Sequence, residues 1–224
     1  MLFRSFFYPD VPEIPLTAGH RFPSGKYRML RDLAAREGLF ANTDLVPSPI
    51  AERGDLLRAH DADYVDAVLE GTLSADAIRR IGLPWSPTLV MRARTTVGGA
   101  IAAAHAALAD GLSGQLAGGT HHAHRGFGSG FCIFNDLAVA ALTLLEERLV
   151  RRIAIVDLDV HQGDGTAAIL GAEPRAFVLS IQGARNFPFR RVPATLDVEL
   201  PDGTGDTGYL AALAPALDRV AAFQ

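Results

Sequence analysis

Two rhythms of apolar and polar positions run along the chain. Met1–Tyr8, Gln115–Ala117, Ile153–Leu158 and Ala176–Ile181 are short, nearly continuous apolar runs, which predict buried strands. Thr195–Leu200 alternates residue by residue and predicts a weaker strand. Between these runs the period lengthens to that of helices. Ser24 stands where it could cap a helix that places Tyr27, Leu30 and Leu33 on one face. Asp61 heads Ala62–Leu69, which Gly71 ends, and Ser86-Pro87 opens a long helix to about Ala109. Asn135–Leu149 forms another. Asp206 or Thr207 caps a last one, with Leu210, Leu213, Leu217 and Val220 spaced for burial. Helices alternating with continuous strands predict an α/β fold with a mostly parallel sheet flanked by helices. In such a fold the last helix leads back to a further strand, so residues 1–224 read as one domain, incomplete at its C-terminus.

Composition narrows the function classes. Of 224 residues 49% are hydrophobic and 21% charged, an ordinary globular balance that excludes disordered and fibrous chains. The net charge of −4 and the lack of a Lys/Arg cluster offer no footprint for nucleic acid. The single cysteine, Cys132, excludes a disulfide framework or an all-Cys zinc site and suits a reducing compartment. The uncharged stretch Thr95–Ala109 is too short for a bilayer span, and Arg4, Pro9, Asp10 and Glu13 interrupt the aromatic N-terminus before a signal core forms. A cytoplasmic protein with no membrane partner is expected.

The chemistry concentrates where strands are expected to end. Three segments turn polar there: G-G-T-H-H-A-H-R-G (118–126), D-L-D-V-H-Q-G-D-G (157–165) and S-I-Q-G (180–183). In open parallel sheets this rim binds ligands, so the three should converge. Asp157, Asp159 and His161 alternate with Leu158 and Val160, which in extended backbone puts them on one side. A carboxylate and an imidazole so placed can share zinc or iron, although a polar strand end, with Asp164 capping the following helix, is the plainer alternative. His121 and His122, adjacent in a Gly-rich loop, suit acid–base work, with Asp157 and Asp164 as the carboxylates available to fix their tautomers. His124 has no partner assigned to it and reads as a solvated loop residue. Phe131 could line an apolar channel, Asn135-Asp136 cap a helix, and Cys132 is a small buried hydrophobe rather than a nucleophile.

Together, G-G-T-H-H, G-F-C-I-F-N-D and I-V-D-L-D-V-H-Q-G-D-G resemble the zinc-dependent histone deacetylase superfamily, with its acetoin-utilisation and acetylpolyamine amidohydrolase relatives. H-R-F-P-S-G-K-Y (20–27), H-D-A-D-Y-V (60–65) and N-F-P-F (186–189) resemble its compact, class-IV-like bacterial branch. The resemblance implies an arginase/deacetylase-like fold and hydrolysis of acetyl-lysine or a small acetylated amine. It implies Asp159 and His161 as ligands of zinc, with iron as the alternative. His121 and His122 take the general base and acid positions, paired to Asp157 and Asp164. Gly130 matches a backbone acceptor for the substrate amide, and Phe131 and Phe187 match channel walls. Asp157, Asp159, His161, Ser180 and Ile181 match a structural potassium site.

Two parts of that pattern have no match: a third ligand Asp in a later G-x-D, and a Tyr after a Gly pair. Asp197, Asp202, Asp206, Asp218 and Tyr209 do not stand in such motifs, and both residues are expected beyond position 224. A second reading is therefore a catalytically incomplete fragment or a binding domain that takes acylated ligands or a partner protein. A third, a ureohydrolase with paired manganese, would require D-x-H-x-D, which D-L-D-V-H does not supply.

Overall fold

The computed structural model describes residues 5–39 and 45–223; the start of the expected first strand, residues 1–4, lies outside them. The six strands among the described residues are all paired in parallel, in two groups. β1 (Phe6–Tyr8) lies between β2 (Leu45–Pro47) and β3 (Gly114–Gln115), and β5 (Ala176–Gly183) lies between β4 (Ile153–Asp157) and β6 (Leu196–Leu200). The single expected sheet thus forms two three-stranded sheets, because no strand among the described residues pairs with the outer edges of β3 and β4. β5, the central strand, is buried along its length except at Gly183, which is why its sequence is one apolar run rather than an alternation. The register places Asp157 opposite Ser180, and Ser180 opposite Asp197, at the ends from which the site loops leave.

Among the described residues eight helices join and cover the strands: α1 (Lys26–Arg36), α2 (Arg53–Leu56), α3 (Ala62–Glu70), α4 (Ala75–Ile81), α5 (Pro87–Asp110), α6 (Asp136–Glu146), α7 (Asp164–Leu170) and α8 (Asp206–Ala221). Where a side-chain oxygen does the capping, the expected start holds. Ser86 accepts from the Leu89 amide and Asn135 from the Ala138 amide, each satisfying an orphan donor of the first turn. Ser24 does not cap α1. Its hydroxyl is engaged with the backbone of Ile14, and α1 begins after Gly25 with no side-chain cap. Leu30 and Leu33 are exposed, and Ala34 is the residue α1 buries. α8 likewise starts after Gly205 without a side-chain cap. It buries Ala216 and packs Leu213 and Val220 against Phe177, Leu179 and Ile181, leaving Leu210 and Leu217 outside.

The main core lies between α3, α5, α6 and the sheet strands, with Phe134 almost wholly buried against the rings of His60 and Tyr64. No helix among the described residues is long and apolar enough to cross a membrane.

Candidate active site

The loop after β3 carries the two histidines, and it is anchored from α6. The Asp136 carboxylate at the head of that helix accepts the backbone N–H of Gly119 (3.0 Å) and Thr120 (2.8 Å) and the Gln115 amide (3.2 Å). The Thr120 hydroxyl donates to the same carboxylate at 2.6 Å. Burial pushes the Asp136 carboxyl up, and the bonds from Thr120, Gly119 and Leu137 pull the other way. Asn135 then locks the loop to α7. Its amide donates to the carbonyls of His121 and Ala123 and to the Thr166 hydroxyl, while the Thr166 N–H donates to the His121 carbonyl at 3.0 Å.

Held this way, the imidazoles lie side by side with ring centres 4.1 Å apart. His121 Nδ1–H donates to Asp157 Oδ2 and His122 Nδ1–H to Asp164 Oδ1, both at 2.6 Å, and all four side chains are less than 10% exposed. These are the short distances of charge-assisted bonds. Gly163 makes the first possible, since a Cβ there would collide with the Asp157 carboxylate. The environments of the two rings differ. Burial works against charge on His121, but Asp157, Asp159 and Asp164 outweigh it and raise its pKa. At His122 burial prevails, helped by the neighbouring His121 and His161, and the pKa is lowered despite Asp164. Asp164 is itself partly desolvated, yet bonds from His122 and His124 hold it down at about 2.

Asp159 and His161 do not form a strand ladder. β4 ends at Asp157, and the chain then bends. The Asp159 N–H donates to Asp157 Oδ1 (3.1 Å), and the His161 N–H and Nδ1–H donate to Asp159 Oδ1 (2.8 and 2.9 Å). This succession of side-chain turns, rather than extended backbone, keeps both residues facing the histidine pair. Carboxylate oxygen and imidazole nitrogen suit a divalent ion of zinc type, and both side chains are part-exposed. They are two where catalytic zinc usually takes three protein ligands, and the described residues contain no cluster of three His, Cys, Asp or Glu able to hold a metal.

A cavity of about 560 Å³ joins these groups; His121, His122, Asp159, His161, Phe131 and Phe187 all line it. Phe187 stands edge-on to His122, ring centres 4.8 Å apart. Phe131 also lines the cavity, in left-handed backbone (φ 67°), a conformation costing about 1–3 kcal/mol that its N–H bond to the Ile81 carbonyl helps to hold. Gly130 before it must be glycine, because a Cβ would come within 2.8 Å of the His122 ring. Cys132 lines the cavity floor, but burial pushes its thiol up to about 12, so it is no thiolate at neutral pH. Ser180 and Ile181 are buried on β5 behind Asp157.

The family model for the histone deacetylase domain matches residues 20–224. The chain belongs to the histone deacetylase family. An uncharacterized protein of Picosynechococcus is 46% identical over 97% of this chain and 72% of its own length. Histone deacetylase 2 of Arabidopsis thaliana is 28% identical over 93% of this chain, and the acetoin utilization protein AcuC of Staphylococcus aureus 32% over 76%. The matches cover 56% and 46% of those two relatives. The fold is that of an HDAC homolog solved in complex with SAHA, with a TM-score of 0.75 at 22% identity, over 97% of this chain and 64% of that one.

Three residues of this family member escaped the sequence reading. Asp136 looked like a helix cap but braces the preceding loop. His124, read as partnerless, donates from Nε2 to Asp164 Oδ2 at 2.9 Å, because the turn at 123–126 folds it back onto the carboxylate that His122 uses. His60 is 2% exposed; its Nδ1–H donates to the His124 carbonyl (2.9 Å) and its Nε2 accepts the Asn135 N–H (2.9 Å). Both bonds need the neutral ring, and burial lowers its pKa to about 4 from 6.5. The unfolded state therefore takes up this proton first. His60 favours the fold fully above pH 6.5, and that contribution declines as pH falls towards 4, by about 3 kcal/mol in all. Urea unfolding at pH 7 and pH 4.5 should show a drop in stability that is smaller in His60→Gln; equal drops would remove His60 as its source.

Proposed function

We propose that the protein is a metal-dependent deacetylase that hydrolyses the amide of acetyl-lysine or a related small acetylated amine. The observation that carries this reading is the meeting, in one aromatic-walled cavity, of two buried His–Asp pairs with the Asp159–His161 donor pair. Asp159 and His161 would hold the ion, zinc or iron. When bound there, such an ion lowers the pKa of water and polarises a carbonyl oxygen. The opposite pKa directions of the two rings reverse the order the resemblance implies: His122, whose burial favours the neutral form, accepts the proton of the attacking water while Asp164 steadies its Nδ1–H. His121, which Asp157 inclines towards the charged form, faces the negative charge that develops on the substrate and supplies the proton needed by the leaving amine. The products are acetate and a free amine. Phe131 and Phe187 flank the acyl chain, and the Gly130 carbonyl accepts the substrate amide N–H. Asp157, Asp159, His161, Ser180 and Ile181, which stand together at the ends of β4 and β5, would hold a potassium ion. The occurrence of SAHA in an HDAC homolog of the same fold supports reading the cavity as the substrate channel.

The experiment is hydrolysis of an acetyl-lysine peptide and an acetylated diamine, before and after chelation and on return of Zn²⁺ or Fe²⁺. Activity should vanish with the metal and return with it, and Asp159→Ala with His161→Ala should abolish both metal retention and turnover. Hydrolysis that persists without metal would overturn the reading. The count of two donors among the described residues favours one alternative, a binding domain for acylated ligands. Protein that takes up no metal and hydrolyses nothing, yet binds an acetylated peptide, would decide for it.

A further inference from the structure

Each carboxylate of the two histidine pairs is braced on its second oxygen, by different donors. Asp157 receives His121 on Oδ2 and the backbone N–H of Asp159 on Oδ1. Asp164 receives His122 on Oδ1, and on Oδ2 it receives not an amide but the His124 imidazole, at 2.9 Å. His124 is itself confined. Its ring stacks on Phe127 with centres 4.3 Å apart and planes 16° apart, and the Arg80 guanidinium lies 4.8 Å from that same Phe127 ring. Its N–H donates to the Phe127 carbonyl, and its own carbonyl accepts from His60. A loop residue held by stacking and by backbone bonds on both sides is built to aim its side chain.

We propose that His124 is a positioning residue for the deacetylation assigned to this cavity: by bonding the second oxygen of Asp164, it stops that carboxylate from turning and so fixes His122 in the tautomer with Nδ1 protonated and Nε2 open. The proposal rests on the deacetylase reading for its effect on turnover, not for its effect on the ring. The physical reason is a rotation. A carboxylate held by one imidazole can swing about Cβ–Cγ and carry its lone pair away from Nδ1–H. His122 would then exchange between two neutral tautomers, and the one protonated at Nε2 cannot accept a proton from water. A donor on each oxygen removes the swing. Partners one step behind an acting group typically change its performance about 10- to 100-fold, the range within which His124 should fall.

The test compares two variants. His124→Phe keeps the stack on Phe127 and loses the donor, whereas His124→Gln loses the ring and keeps an N–H within reach of Asp164. For an acetylated peptide, kcat should fall about tenfold in His124→Phe with KM changed less than about twofold, and His124→Gln should recover most of the loss. In protein without added metal, ¹⁵N-edited imidazole spectra should show His122 as one Nδ1–H tautomer in the parent and in His124→Gln, and as a mixture in His124→Phe. Unchanged kcat and an unchanged His122 spectrum in His124→Phe would overturn the proposal. So would equal losses in both variants alongside a lower melting temperature, which would mark a structural role only. Should the parent protein hydrolyse no acetylated amine, the deacetylase reading fails, and the ring spectra alone decide whether His124 fixes the tautomer.

Discussion

His122→Ala is expected to lower kcat on an acetylated amine by about 10³-fold, the order contributed by a well-placed general base. The expectation follows from the environment of that ring. His122 is 4% exposed, sits at the floor of the cavity between Gly130 and Phe187, and is the member of the pair whose pKa burial lowers, so at neutral pH it is poised to receive a proton. His121 is pushed the opposite way, Asp157 outweighing its burial, and so is the poorer proton acceptor of the two. The fold should survive, because Asp164 keeps its bond from His124 and because the loop is anchored through backbone groups on Asn135 and Asp136. Melting within a few degrees of the parent, alongside the loss of turnover, would complete the result. Parent-level hydrolysis in His122→Ala would remove this residue from the role.

Asp136→Ala is expected to be the most destabilising single change near the site, at about 3–5 kcal/mol. The carboxylate is wholly buried, and its removal strands the N–H groups of Gly119 and Thr120, each costing about 1–3 kcal/mol when left unpaired in the interior, while the Gln115 amide keeps only its bond to the Thr96 carbonyl. Asp136→Asn should fall between: its oxygen can still accept on one side, while its NH₂ confronts a donor on the other. Urea unfolding of the three proteins checks the order. A loss below about 1 kcal/mol in the Ala variant would mean that the histidine loop does not depend on this carboxylate.

Legibility in the sequence followed the range of each interaction. β5 could be read directly because burial on both faces leaves an uninterrupted apolar run, and Ser86 and Asn135 because their cap bonds close within three residues. β2 could not, being three residues that include Pro47 and exist only by pairing with β1. Ser24 misled because its hydroxyl found a backbone partner ten residues back. In the site, His121 and His122 contact Asp157 and Asp164, the carboxylates that the motif resemblance pairs with them. His124 is opaque in the sequence because its acceptor lies forty residues on, on the second oxygen of a carboxylate whose first oxygen already serves His122. Asp136 was mistaken because Asp at the head of a helix usually serves the helix, whereas here it faces back to the loop before it.

The shared use of Asn135 has a consequence for how the protein opens. One amide holds the carbonyls of His121 and Ala123 and the hydroxyl of Thr166, while the backbone N–H of the same residue rests on His60, which in turn grips the carbonyl of His124. No segment in this set can fray without stripping partners from the others. The loop with the imidazoles and the turn into α7 are therefore expected to exchange with solvent together, as one cooperative unit rather than as independently breathing loops, which amide hydrogen exchange would check. Such a centre keeps its alignment through ordinary thermal motion and loses it all at once.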